Sequence, residues 1–250
     1  MGRRGLRVRV TWASASPEQT AARLAAALGG EPLAAPGQIL VRLADDTIAV
    51  VRASERAGPD GREPDERLVS PNGGLEAVRS GGAQGARAHG TDADEPGSRA
   101  RSCAWRLVAL GWVTVEIDRL AAEHGLVAIP VGPDRLLGAR CAAVEGTAVV
   151  LLEPDTEGRV AASLARGGEG PAVLYVAPDL SRDAAARIID GRSVALAEAG
   201  LSASAIAAGP FGRSLVLGGG RAWGPHLVFC EGLPATPAPA ASSRHAGPGP

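Results

Sequence analysis

Three times along this chain a strand leads into an alanine-rich helix opened by a serine or an aspartate. The stretches are TWASASPEQTAARLA from Thr11, TVEIDRLAAEH from Thr114 and YVAPDLSRDAAARI from Tyr175. Two hairpins also match, LADDTIAVV from Leu43 and AVEGTAVVLL from Ala143. A strand–helix–hairpin unit cannot bury its apolar surfaces alone, so repeated units must pair. The recurrence predicts an α+β fold of repeated βαβββ modules forming a cupped mixed sheet.

Ser16 and Pro17 open the first helix, Ala21, Leu24, Ala25 and Leu28 give its apolar stripe, and Gly29-Gly30 ends it. With Leu6–Trp12 before it and the hairpin of Ile39–Leu43 and Thr47–Arg52 after it, residues 1–54 read as a βαββ module. Residues 55–103 are rich in Gly, Pro, Arg, Asp, Glu and Ser and lack apolar periodicity. A disordered linker is expected there, with a structured lid as the alternative and Leu68-Val69 and Leu75–Val78 as brief strand-like exceptions.

Residues 104–232 hold the paired modules. Expected are a strand over Arg106–Ile117, a helix over Asp118–His124 and a turn around Pro130–Pro133. A hairpin of Leu136–Val144 and Thr147–Glu153 then turns at Glu145-Gly146, which suits φ > 0. A helix at Arg159–Arg166, a strand at Ala172–Val176 and a helix from about Ser181 follow. Short strands are expected at Ser204–Ala207, Ser214–Leu217 and Leu227–Glu231, and residues 233–250 form a Pro/Ala/Gly tail with nothing to pack.

Composition narrows the chemistry. The net charge is −1 over 250 residues, which gives no field to attract nucleic acid or an anionic membrane. All 26 basic residues are arginine, as GC-rich bacterial coding favours, so Schiff-base and P-loop lysines are excluded. Cys103, Cys141 and Cys230 make no CxxC and read as buried thiols. No GxSxG or HExxH occurs, and Leu217–Arg221 reads as a turn rather than a phosphate cradle. The start lacks a signal-peptide h-region and no apolar run spans a bilayer, so a cytoplasmic protein is expected.

The run Leu152-Glu153-Pro154, a helix at Arg159–Arg166, the Gly168-Glu169-Gly170 turn and the strand Ala172–Val176 resemble the vicinal oxygen chelate superfamily. The likeness lies with its glyoxalase-like and methylmalonyl-CoA-epimerase-like branch and spans roughly residues 106–232. It implies two βαβββ modules closing a cup around a divalent metal and a small oxygenated substrate. The implied strand-start histidines fall at Ala109–Leu110 and Ala172–Val173, and the implied last-strand glutamate falls near Val228. None of these side chains binds a cation, so a metal is left open and no metal ligand is assigned.

Glu153, at the end of VVLLE, is the candidate catalytic acid/base if it faces the cup, and a solvated strand end if it does not. Trp112, Glu116, Trp223 and His226 are candidate ligand-binding residues, against readings as core or rim side chains. Asp118 reads as a helix N-cap, and His226 and Glu231 should point to opposite faces of their strand. Two functions are expected as alternatives: a lyase, isomerase or epimerase of the glyoxalase-like group, or a metal-free small-molecule-binding protein of the resistance and sequestration type. A homodimer is a further expectation, with no nucleic acid or membrane partner.

Overall fold

The computed structural model describes residues 7–43, 46–52, 67–69, 105–217 and 225–233. The expected tail lies outside these residues, as do Trp223 and Cys103. So does the expected linker, apart from one short strand.

The N-terminal unit has one strand more than expected. Strand β1 (Arg7–Ser14) is followed by helix α1 (Pro17–Leu28), β2 (Pro32–Ala35), β3 (Gln38–Arg42) and β4 (Asp46–Arg52). β1 pairs in parallel with β4, and β4, β3 and β2 pair antiparallel in turn, a complete βαβββ module. The α1 stripe of Ala21, Leu24, Ala25 and Leu28 packs on Val10 and Trp12 of β1 and Ile48 and Val50 of β4. Strand β5 (Arg67–Val69), inside the expected linker, adds antiparallel to β1.

The second sheet has eight strands. One module runs β6 (Trp105–Val113), α2 (Ile117–Glu123), β7 (Ala128–Asp134), β8 (Ala139–Val144) and β9 (Val149–Pro154). Helix α3 (Arg159–Gly167) leads to the next: β10 (Gly170–Pro178), α4 (Arg182–Glu198), β11 (Ala207–Gly209), β12 (Gly212–Val216) and β13 (His226–Cys230). The strand order is β11-β12-β13-β10-β6-β9-β8-β7, with β6 parallel to β9, β10 parallel to β13, and the modules joined by antiparallel β6 and β10. This is the paired-module architecture of the vicinal oxygen chelate fold. β5 stands to β1 as β10 stands to β6.

Period-two alternation sorts the sheet's side chains into two layers. Leu110, Leu151, Leu174, Leu227 and Phe229 meet Ile117 and Leu120 of α2 and Ile189 and Leu196 of α4 on the helix-covered face. Ala109, Val113, Val150, Leu152, Val173, Tyr175, Val228 and Cys230 line the other face. The sheet curls about that second face until its outer strands β7 and β11 lie against each other. Close approach at the module joint requires Gly111. A Cβ there would lie 2.7 Å from Val173 Cβ and 2.8 Å from Leu152 Cδ1, which two packed strands cannot relieve.

Among the described residues no helix is long and apolar enough to cross a membrane.

Candidate functional site: the interior of the curled sheet

Of the positions that the resemblance assigns to metal ligands, Ala109, Ala172, Val173 and Val228 face the interior and Leu110 the helix side, and all are filled with hydrocarbon. Ala109 is 2% exposed, and Val173 and Val228 are fully buried. Around them pack Tyr175 and Phe211, rings edge-on with centroids 5.0 Å apart. Helix α3 closes the mouth, with Val160, Ser163 and Leu164 against the interior layer and the Val160 amide donating to the Leu137 carbonyl. Among the described residues no three His, Cys, Asp or Glu side chains converge to hold a metal ion. The donor set therefore does not fit a divalent cation, and no step of chemistry is routed through one.

The polar groups inside are paired with each other. Asp134, at the end of β7, accepts the Tyr175 hydroxyl on Oδ2 at 2.8 Å and the Leu136 and Leu137 amides on Oδ1 at 3.0 and 3.1 Å. Burial raises its pKa above the ordinary carboxylate value despite these donors, and burial followed by the Asp134 charge raises that of Tyr175. At Gly209 of β11, a Cβ would stand 3.7 Å from Asp134 Oδ2, so Asp134 sits at the seam where β7 meets β11. His226 Nε2 lies 3.3 Å from the Ser163 hydroxyl of α3. Burial, with the Arg159 cation adding to it, holds the imidazole pKa down at about 4. Cys141 and Cys230 are buried free thiols on the interior side, with Cys230 pushed up by burial to about 12.

Most of the expected site residues lie elsewhere. Leu152 faces the interior, so its neighbour Glu153 faces the helix side, where it accepts the Ile117 amide at 2.8 Å and the Arg140 guanidinium at 2.6 Å. It therefore caps α2, whose N-cap residue is Glu116; Asp118 lies one position inside the helix, not at its cap. Burial opposes ionisation of Glu153, but Arg140 and the Ile117 amide outweigh it and hold its pKa below the usual value. Glu153→Ala is expected to cost about 1–2 kcal/mol in urea unfolding at neutral pH, the cost of a lost cap. Because the folded pKa is depressed, that cost applies above about pH 4.5 and fades as pH falls through the folded value.

Trp112 lies in the helix-side layer opposite Leu151 and Pro171, its indole N–H buried without an acceptor. Glu116 is exposed. Among the described candidates His226 alone faces the interior. Glu231 points the other way, to Arg213 at 2.8 Å, as the spacing of five requires. Glu169 of the Gly-Glu-Gly turn is structural. Arg119, Thr114 and the Val115 amide all donate to it, holding its pKa at about 2 and tying the start of β10 to the end of β6.

No family model and no curated protein sequence matches the chain. Solved structures do resemble it. A hypothetical protein from Bacillus halodurans C-125 is 20% identical with a TM-score of 0.37, over 50% of this chain and 93% of that one. Methylmalonyl-CoA epimerase from Mycobacterium tuberculosis is 21% identical with a TM-score of 0.38, over 53% and 88%. A 4-hydroxymandelate synthase mutant from Streptomyces coelicolor is 14% identical with a TM-score of 0.49, over 94% and 93%. The fold assignment rests on the strand order itself.

Proposed function

We propose that this chain is a metal-independent small-molecule-binding protein built on paired βαβββ modules, closer to a sequestering protein than to a metal-dependent lyase, isomerase or epimerase. The observation that carries the reading is the replacement of the implied ligand positions by Ala109, Val173 and Val228, all inward-facing and packed. A carboxylate in Glu153 supports the enzyme reading poorly, since it is spent on α2 and Arg140.

A small oxygenated ligand enters by displacement of α3. That helix holds the interior through Val160, Ser163 and Leu164; Gly158 and Gly168 are its two caps and Gly167 its last residue. Lifting it exposes the His226 imidazole that Ser163 now contacts, leaving a polar group above an apolar floor for a ligand hydroxyl or carbonyl.

Thermal-shift and calorimetric titration with small 2-oxoacids, hydroxy acids and phenols, in EDTA and then with Mn²⁺, Co²⁺, Ni²⁺ or Zn²⁺, tests the reading. Binding should be equal with and without metal, and tighter in Leu164→Ala, which loosens α3. Binding that requires a metal overturns it, as does the absence of binding to both proteins.

A further inference from the structure

Outside the curled sheet a cavity of about 270 Å³ opens where the end of α1 meets β6 and α4. Leu28, Trp105, Ile188, Gly191, Arg187 and Arg192 form most of its wall, and no carboxylate lines it among the described residues. Its volume lies near the lower end of the range for small-molecule pockets, roughly 300–1,000 Å³, which suits a ligand of one or two rings.

Three features shape it for a flat anion. The Arg192 guanidinium carbon stands 4.8 Å from the Trp105 ring centroid and 4.7 Å from that of Phe229, so one wall is a stacked, planar cation. The last carbonyls of α1 are capped, Ala25 and Ala26 accepting from Gly30 and Gly29 at 2.8 and 3.3 Å, which mutes the negative end of that helix. Gly191 occupies the interior of a 17-residue helix, where glycine costs about 1 kcal/mol relative to alanine. Yet a Cβ at Gly191 would meet nothing within 4 Å, so close packing does not call for glycine there. The space left by its missing side chain belongs to the cavity.

We propose that this cavity binds a small aromatic carboxylate, with its ring against Leu28, Ile188 and Trp105 and its carboxylate on the Arg187 guanidinium. The site lies outside the curled sheet and stands whatever the sheet's interior binds.

Isothermal titration of the full chain with naphthalene-2-carboxylate, and with naphthalene-2-carboxamide as neutral control, tests it. The carboxylate should bind one to one and the carboxamide at least about tenfold more weakly, as should the carboxylate to Arg187→Gln, because an ion-paired hydrogen bond is lost. Gly191→Leu should abolish binding while keeping or raising the melting temperature, since leucine is the better helix former and fills the space. Undiminished binding to Gly191→Leu, equal binding of the carboxamide, or no binding of the carboxylate at millimolar concentration overturns the proposal.

Discussion

Replacing Asp134 with alanine will destabilise the folded chain by about 3–4 kcal/mol in urea unfolding, because the Tyr175 hydroxyl and the Leu137 amide lose their acceptor in a region closed to water. Tyr175 and Leu137 are both fully buried, and Leu136 donates to the same carboxylate from a less buried site. Tyr175→Phe should cost less, about 1–2 kcal/mol, since Asp134 keeps its two amide donors. The order of the two variants is diagnostic. A carboxylate at the seam of β7 and β11 serves three donors, whereas the hydroxyl serves one acceptor. If Asp134→Ala costs no more than Tyr175→Phe, the seam is not held in this way.

Asp134 also sets a pH dependence of unusual sign for a carboxylate. Its folded pKa stands above the ordinary 3.8, so the native state binds the proton more firmly than the unfolded chain does. Its contribution is therefore largest below 3.8 and declines as pH rises through the folded value.

Acidification from neutrality will weaken the fold through His226. The imidazole is 3% exposed and its pKa falls from 6.5 to about 4. The unfolded chain takes up a proton before the native state does, so stability present above pH 6.5 is lost between 6.5 and about 4. The loss should approach about 3 kcal/mol over that window, because each tenfold difference in proton affinity between the two states is worth about 1.4 kcal/mol. Urea midpoints measured at neutral pH and near pH 4.5 should differ clearly for the parent protein and much less for His226→Gln, which keeps a polar partner for Ser163 without titrating. An equal pH slope in both proteins would place the acid sensitivity elsewhere. Since Asp134 acts in the opposite direction, the comparison is best made in single variants.

The modules themselves are readable in the amino-acid order. Helix stripes such as Ala21, Leu24, Ala25 and Leu28, with Ser16-Pro17 before them and Gly29 in the left-handed conformation after them, fix α1 almost to the residue. The strands that the pattern does not reveal are at sheet edges. Pro32 opens β2, and Pro130 and Pro133 lie within β7, where the sequence suggests a turn. Proline cannot donate to a ladder, and apart from first residues and bulges it is confined to outermost strands, where that costs nothing. The strand expected at Ser204–Ala207 is displaced for a related reason. The edge strand β11 begins at Ala207 and is hydrogen-bonded to β12 alone.

The site is less legible because its logic is tertiary. Val149, Val150, Leu151 and Leu152 are all buried, so β9 carries no alternation to reveal which way Glu153 points. Asp134 sits in a proline-rich stretch that resembles surface turn. The available signal is Tyr175, the chain's single tyrosine, in the otherwise aliphatic run AVLYVA. A buried tyrosine hydroxyl needs a partner, and that need alone points to a polar group inside the sheet. The hydrocarbon at Ala109, Val173 and Val228 is, by contrast, visible from the resemblance, and the curled sheet turns all three inward.

Ala109, Val173 and Val228 fill the implied ligand positions inside the curled sheet, and among the described residues no cluster of His, Cys, Asp or Glu replaces them. Elemental analysis of the purified chain, repeated after incubation with excess Mn²⁺, Co²⁺, Ni²⁺ or Zn²⁺ at neutral pH and desalting, tests it directly. Far less than one ion per chain is expected in every case. One tightly held ion per chain, lost on His226→Ala, would contradict it.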